Sequence, residues 1–265
     1  MEKITAQDLY AQLYDLWVFD WPGEVDFYKE LIALSPEIKT KGVLEIGCGT
    51  GRIALRIAQN GINITGLDLS SELLEIARKK SIGLPNIHWV NGDMRKFEIG
   101  KKFGAVIIPG HSFQFMITPD DQVNCLEQIK HHLVADGLLI IHIGHQSIGW
   151  LAGLLDQKVP VFEKNPIMTN PLTGQKFRYS TAWTFEPSTQ TASVIRKIEQ
   201  LGTNDRVDQT WEMEPMPLHC IFRFEMEHLL RCEGFSIEAV YGDFYKNELC
   251  NESEDMIWIA RNRVG

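Results

Sequence analysis

The 265-residue sequence has no apolar run near the ~18 residues that a membrane-spanning helix requires. Its first residues, MEKITAQDLY, are polar and lack the apolar centre of a secretory leader. The five cysteines, Cys48, Cys125, Cys220, Cys232 and Cys250, are odd in number and never spaced C-x-x-C. That speaks against a disulfide framework and against a zinc ligand set. Positive charge is in deficit: the formal net charge is −9. An acidic surface weakens attraction to phosphate backbones, so nucleic acid is not the expected partner. No low-complexity tract and no solenoid-length repeat is present. Together these absences predict a soluble, cytoplasmic protein with reduced thiols and no metal centre, monomeric or homodimeric.

The hydrophobic content, 44%, is enough for a large core. Thr5 with Asp8 three residues on marks a helix start, followed by Leu9, Leu13 and Leu16 at helical spacing. Trp21-Pro22-Gly23 interrupts, and a second helix is expected from Glu24 to Leu34. Short apolar strands are then expected at 43–46, 63–67, 87–90, 105–108 and 138–143. Helices alternate with them: one carries Ile53, Ala54, Ile57 and Ala58, and a second is capped by Ser70. A third is opened by Thr118-Pro119 and expected to close at Gly137. Nearly all-apolar strands alternating with helices define an α/β fold, a doubly wound parallel sheet covered on both faces.

After about residue 145 the rhythm changes. Strands are expected over 177–185, 192–201 and 207–214, with turns at Pro187-Ser188 and Gly202-Thr203-Asn204. A helix over 225–233 and strands over 236–241 and 256–260 return the chain to the main sheet. The expected divisions are an α/β domain preceded by N-terminal helices (1–145), an antiparallel insert (146–220), and a closing segment of helix and hairpin (221–265).

VLEIGCGTGRIA, residues 43–54, places Gly47, Gly49 and Gly51 directly after the first strand. Either the loop is a plain turn, or a ligand must approach the main chain closely. The next helix points free N–H groups into the same space. Asp68, at the end of the second strand, can accept two ribose hydroxyls, and a carboxylate there has few structural tasks. After the third strand, Asp93 can accept from an adenine amine, and Met94 can lie on the ring. A dinucleotide site would carry G-x-G-x-x-G; here the spacing is G-x-G-x-G with Arg52 next.

Glu45, the three glycines, Asp68 and "GDM" at 92–94 together resemble the class I S-adenosylmethionine-dependent methyltransferases, over residues 40–144 and more weakly over the closing hairpin. The resemblance implies a mostly parallel, seven-stranded Rossmann-like sheet with an antiparallel β insert after strand five. It implies S-adenosylmethionine as cofactor and S-adenosylhomocysteine as product. Glu45 and the loop Gly47, Cys48, Gly49 and Gly51 would hold the methionine part. Asp68 would hold the ribose, and Leu69 would pack on the adenine. Asp93 would bind the adenine amine beside Met94, and Pro109, at the end of strand four, would face the sulfur. Leu69 and Met94 are also consistent with core packing, and Glu45 with a structural cap on the loop.

FGAVIIPGHSFQFM, residues 103–116, is similar to the glycine N-methyltransferase and amino-sugar N-methyltransferase group. Amino-sugar enzymes place a histidine near the position of Phe115; this chain has His111 four residues earlier, so that catalytic histidine does not carry over. The implied reaction is transfer of a methyl group to nitrogen or oxygen of a small molecule, with His111 the first candidate base. Tyr14, in the YDLW segment, is a candidate contact to the sulfonium or acceptor. His145 and His219 are further base candidates, Gln114 can orient an acceptor or cap a turn, and Trp150, Trp183 and Trp211 can line its pocket. Three other readings stay open. An RNA or protein methyltransferase is opposed by the acidic balance and by Ile108-Pro109-Gly110-His111 standing in place of N/D-P-P-Y/F. A non-catalytic S-adenosylmethionine sensor and a nicotinamide oxidoreductase are the others.

Overall fold

The computed structural model describes residues 4–263. Residues 1–3 and 264–265 of the expected divisions lie outside the described residues. In chain order the elements are α1 (Ala6–Trp17), α2 (Glu24–Ala33), α3 (Pro36–Lys41), β1 (Val43–Ile46), α4 (Arg52–Ala58), β2 (Ile64–Asp68), α5 (Ser71–Lys80), β3 (Ile87–Asn91) and β4 (Phe103–Ile108). They continue with α6 (Pro119–His132), β5 (Leu133–Gly144), α7 (Ile148–Leu155), β6 (Glu163–Lys164), β7 (Met168–Thr169), β8 (Lys176–Glu186), β9 (Thr191–Leu201) and β10 (Val207–His219). The last are α8 (Arg223–Cys232), β11 (Phe235–Tyr241) and β12 (Asp255–Asn262). Among the described residues, no helix is long and apolar enough to cross a membrane.

The chain forms two compact units. One is the chain up to Phe19 with Ile148–Cys220; the other is Asp20–Ser147 with the segment from Ile221 onward. The first helix therefore groups with the insert, whereas the sequence assigns it to the 1–145 domain. The physical reason is its apolar stripe. Leu9 and Leu13 of α1 are buried against Phe177 of β8 and Ile198 of β9. Thr5 caps that helix reciprocally: its Oγ1 accepts the Asp8 N–H at 3.0 Å, and Asp8 Oδ2 accepts the Thr5 N–H at 3.2 Å. In this unit β10, β9, β8 and β6 form an antiparallel sheet in that order, with β7 also pairing β8. Helix α7 and the two short strands are elements that periodicity did not reveal.

The second unit contains a seven-stranded sheet ordered β11-β12-β5-β4-β1-β2-β3. Strands β1 to β5 are parallel, and β12 runs antiparallel to β5 and β11. Side chains alternate between faces along a strand. Leu44, Ile46, Val106, Ile108, Leu139 and Ile141 enter one core with α6 and α8. Val43, Ala105, Ile107, Leu138, Ile140, Ile257 and Ile259 enter the other, against α2, α3 and α4. Both faces of the sheet are covered, as largely apolar strands require.

Helix α6 begins as expected: Thr118 Oγ1 accepts the Asp121 N–H at 3.1 Å, and Pro119 occupies the first turn. It does not end at Gly137. It stops at His132, because Leu133 is fully buried and already pairs with Phe103 in the sheet. Gly137 lies within β5, in an irregularity where the pairing with β4 shifts and Asp136 adopts φ 58°.

Gly104 on β4 allows α3 to approach. An added Cβ would lie 2.6 Å from Ile38 Cα, 2.8 Å from Ile38 N and 2.9 Å from Glu37 O. These are backbone atoms and cannot swing aside. Gly104→Ala is expected to lower the unfolding free energy by roughly 2 kcal/mol, the range for overpacking, with an unchanged denaturant m-value. Urea unfolding of the two proteins checks it.

Candidate active site

The chain proceeds outward from β1 to β2 and β3, then returns to place β4 on the other flank of β1. The crevice beyond the carboxyl ends of β1 and β4 is where such sheets take ligands. The glycine loop sits there. Gly47, Gly49 and Gly51 have φ of 70°, 54° and 81°, a region that disfavours other residues. The backbone N–H groups of Gly47 and Cys48 both donate to Leu67 O, at 2.8 and 3.1 Å. A Cβ at Gly47 would strike the Ser112 side chain, and one at Gly51 would lie 2.5 Å from the Trp89 ring. Two of the three glycines thus answer to the protein's own packing, independently of any ligand.

Asp68 has a structural task that the sequence did not disclose. Its Oδ2 accepts the Gly49 N–H at 2.7 Å and its Oδ1 the Ser70 N–H at 2.8 Å. It ties the glycine loop to the start of α5. Burial raises its pKa against those hydrogen bonds. Leu69 is exposed. Both carboxylate oxygens of Asp93 accept from Arg95, whose Nη1 also reaches Asp121 Oδ1 at 3.1 Å. The Arg95 guanidinium holds the Asp93 carboxyl below its usual range. Met94 packs partly buried on the core. Cys48 and Pro109 are buried, and Pro109 O accepts the Ser112 hydroxyl at 3.0 Å.

Three positions on the α2–α4 face of the sheet carry polar side chains where alternation calls for apolar ones: Glu45 on β1, His142 on β5 and Asp255 on β12. Glu45 is 2% exposed. The backbone N–H of Ala54, in the first turn of α4, donates to it, whereas its Oε2 has no partner. Burial pushes its pKa up to about 8, with the nearby Glu24 adding to the rise and Arg52 opposing it. Arg52 is committed elsewhere: it forms a two-pronged pair with Glu24, reaches Asp20 Oδ1 at 3.0 Å and lies 5.4 Å from the Trp21 ring centre.

His142 and Asp255 meet His111, which sits just past β4 in a left-handed conformation (φ 65°). Asp255 Oδ1 is 2.8 Å from His111 Nε2 and 2.8 Å from His142 Nε2, and the two Nε2 atoms are 3.1 Å apart. Trp21 packs edge-on against both imidazoles. Three such atoms can in principle face a divalent cation. The surrounding hydrogen bonds favour proton sharing instead. The Gly110 N–H donates to His142 Nδ1 at 3.3 Å, which leaves the ring proton on Nε2, directed at Asp255. A metal-binding histidine donates its second nitrogen rather than accepting there. Burial holds the His142 pKa down to about 4, so the ring is neutral near pH 7. Burial alone would raise the pKa of Asp255, but hydrogen bonds from His111 and His142 hold it well below the carboxylate range. With Nε2 of His111 directed at that anion, its Nδ1 has no hydrogen-bond partner among the described residues.

The other candidates separate. His145 Nδ1 is 2.9 Å from Ser253 O. Gln114 is buried, and its Oε1 accepts the Gly144 N–H at 2.9 Å, tying down the end of β5. Tyr14, His219, Trp150, Trp183 and Trp211 all belong to the other unit. There Tyr14 meets Tyr10 edge-on, Trp150 meets Trp183 edge-on, and His219 is buried. His142 and Asp255 were not singled out from the sequence. The signal was the lone histidine within LLIIHI and the acid opening DMIWIA.

The donor set suits S-adenosylmethionine. Glu45 Oε2 is a buried acceptor without a donor, which the ammonium of a methionine group would satisfy. The loop, Asp68 and Asp93 lie in turn at the ends of β1, β2 and β3. Fold and loop together define a class I methyltransferase.

A family profile described as "Methyltransferase domain" matches residues 43–137. "Putative methyltransferase GWCH70_2453" of Geobacillus sp. (strain WCH70) is 32% identical over 225 residues, covering 83% of this chain and 84% of that protein. "dTDP-3-amino-3,6-dideoxy-alpha-D-glucopyranose N,N-dimethyltransferase" of Streptomyces fradiae is 30% identical over 136 residues, about half of each chain (49% and 51%). The solved structure of the CcbJ methyltransferase from Streptomyces caelestis superposes with a TM-score of 0.78 at 20% identity, covering 100% of both chains. The chain belongs to the S-adenosylmethionine-dependent methyltransferase family. It is an enzyme of that class, with S-adenosylmethionine as its methyl donor.

Glu45 gives a test that needs no substrate. A carboxyl whose pKa is raised in the folded state binds a proton that the unfolded state has released, from pH 4.5 up to about 8. Its stabilising contribution is full below that window and is lost as pH rises through it. Wild type should therefore lose stability relative to Glu45→Gln between pH 5 and 8, by an amount on the order of 4 kcal/mol, and the difference should flatten above that. Chemical denaturation across the pH series checks the sign and the window.

Proposed function

We propose that this methyltransferase acts on a nitrogen or oxygen of a small-molecule acceptor, with His111 as general base and Asp255 as the residue that orients it. The observation that carries the reading is the 2.8 Å contact between Asp255 Oδ1 and His111 Nε2. A buried anion there holds the imidazole in one tautomer and leaves Nδ1 as the free lone pair.

S-adenosylmethionine supplies a methyl carbon already activated on a sulfonium. The protein's main task is then to hold the nucleophile close and aligned. His111 takes the proton from an acceptor that arrives as an ammonium or a hydroxyl. Asp255 stabilises the imidazolium so formed, and His142, neutral because it is buried, donates to the same oxygen and fixes the carboxylate. In this reading Glu45, Gly47, Cys48, Gly49 and Gly51 hold the methionine part, Asp68 the ribose, Leu69, Asp93 and Met94 the adenine, and Pro109 the region of the sulfur. Support for a small acceptor comes from the Streptomyces fradiae relative, whose acceptor is an amino sugar nucleotide, and from the net charge of −9. A soluble cytoplasmic enzyme, monomeric or homodimeric, completes the reading.

The test incubates the enzyme with methyl-labelled S-adenosylmethionine and a cell extract divided by ultrafiltration. Label should enter the small-molecule filtrate; label confined to retained RNA or protein overturns the reading. Once an acceptor fraction is in hand, His111→Gln and Asp255→Asn should lower kcat about 10²-fold or more. Both variants should bind S-adenosylhomocysteine as wild type does.

A further inference from the structure

The unit built on β6 to β10 contains a buried cation without a counter-ion. Arg196 lies on β9, paired across the sheet with Thr181 of β8 and Met213 of β10. It alternates with Ile198, so it shares the face that α1 covers. Arg196 is 9% exposed, its guanidinium carbon is 4.8 Å from the centre of the Tyr10 ring, and its Nε has no hydrogen-bond partner. No carboxylate lies within ion-pair distance of it among the described residues. The other long cations on β8 and β9 are paired: Arg178 and Lys197 with Glu199, and Lys176 with Asp205.

The Tyr10 ring against this cation belongs to a cluster of three aromatic rings. Trp17 and Tyr179 stack with ring centres 4.7 Å apart and an 11° tilt, and Tyr10 contacts both. Trp17 Nε1 is a second buried donor without an acceptor. Two orphaned donors therefore flank one tyrosine. A cation–π contact offsets part of the cost of burying a guanidinium but supplies no hydrogen-bond acceptor. The chemistry missing from the site is an oxyanion.

We infer that Arg196, with Tyr10, Trp17 and Tyr179, forms a binding site for the carboxylate or phosphate of a small anionic ligand. The site lies wholly within the unit built on β6 to β10 and does not rest on the methyl-transfer reading above. The fork of the Arg196 guanidinium suits the two oxygens of either anion.

The experiment titrates the full chain with sodium benzoate and, separately, with inorganic phosphate, chloride keeping the ionic strength constant. Thermal midpoint and tryptophan emission are read. A saturable rise in midpoint is expected with at least one anion. Benzoate alone identifies a carboxylate site, phosphate alone a phosphate site, and response to both a general oxyanion site. Arg196→Met should weaken that binding by about tenfold or more, the scale of one charge-assisted pair, and Arg196→Lys should retain part of it. Without anion, Arg196→Met should be at least as stable as wild type, since it removes an uncompensated charge. Arg178→Gln, on the opposite face, should leave anion binding unchanged. S-adenosylhomocysteine affinity should not change in Arg196→Met, so failure here and failure of the methyl-transfer reading are told apart. The inference is overturned if neither anion gives a saturable response, or if Arg196→Met responds as wild type does. It is equally overturned if Arg196→Met is markedly less stable while Arg196→Lys restores stability without responding to either anion.

Discussion

Strict two-residue alternation in the central parallel strands is the constraint on which the site depends. Leu44 and Ile46 face one core, and Val43 faces the other. The same parity sends Glu45, His142 and Asp255 to the α2–α4 face at strand positions next to the crevice. A shift of one residue in any of these strands would bury an aliphatic side chain there and drive the polar one into the opposite core. The polar site is therefore as firmly placed as the hydrophobic packing beneath it.

That placement has an electrostatic cost, met unevenly. Glu24 is fully buried but grips Arg52 with both oxygens. Asp255 is held as an anion by two imidazoles. Glu45 keeps one oxygen unpaired, and burial pushes its proton affinity far up. A fold that satisfied every buried group would have no affinity left for a cationic ligand. The unpaired acceptor beside the glycine loop is the local instability that such a ligand relieves.

The core of the fold was legible because its signals are local. The capping pairs Thr5/Asp8 and Thr118/Asp121, the apolar runs of β1, β4 and β5, and the turns of the β8–β10 meander all follow from neighbouring residues. The misplaced end of α6 had a different cause. Gly137 is a good helix stop in isolation, but the demand of β5 for Leu133 in the core acted first. The first helix was likewise readable as a helix while its partner was not, since an apolar stripe does not name the surface it will cover.

Of the site, the sequence by itself determined the loop chemistry: three glycines, an acid before them and acids after the second and third strands, each spaced by chain-local rules. It also offered His111, from its place after β4. Only the tertiary structure joined His111 to residues 142 and 255, or set Arg196 beneath Tyr10 from the far end of the chain. It alone showed that Gly47 and Gly51 make room for Ser112 and Trp89. Local conformational preference depends on a few adjacent residues and is written in order. Contacts across strands depend on which of many apolar surfaces bury one another, and that is settled by the packing of the whole unit.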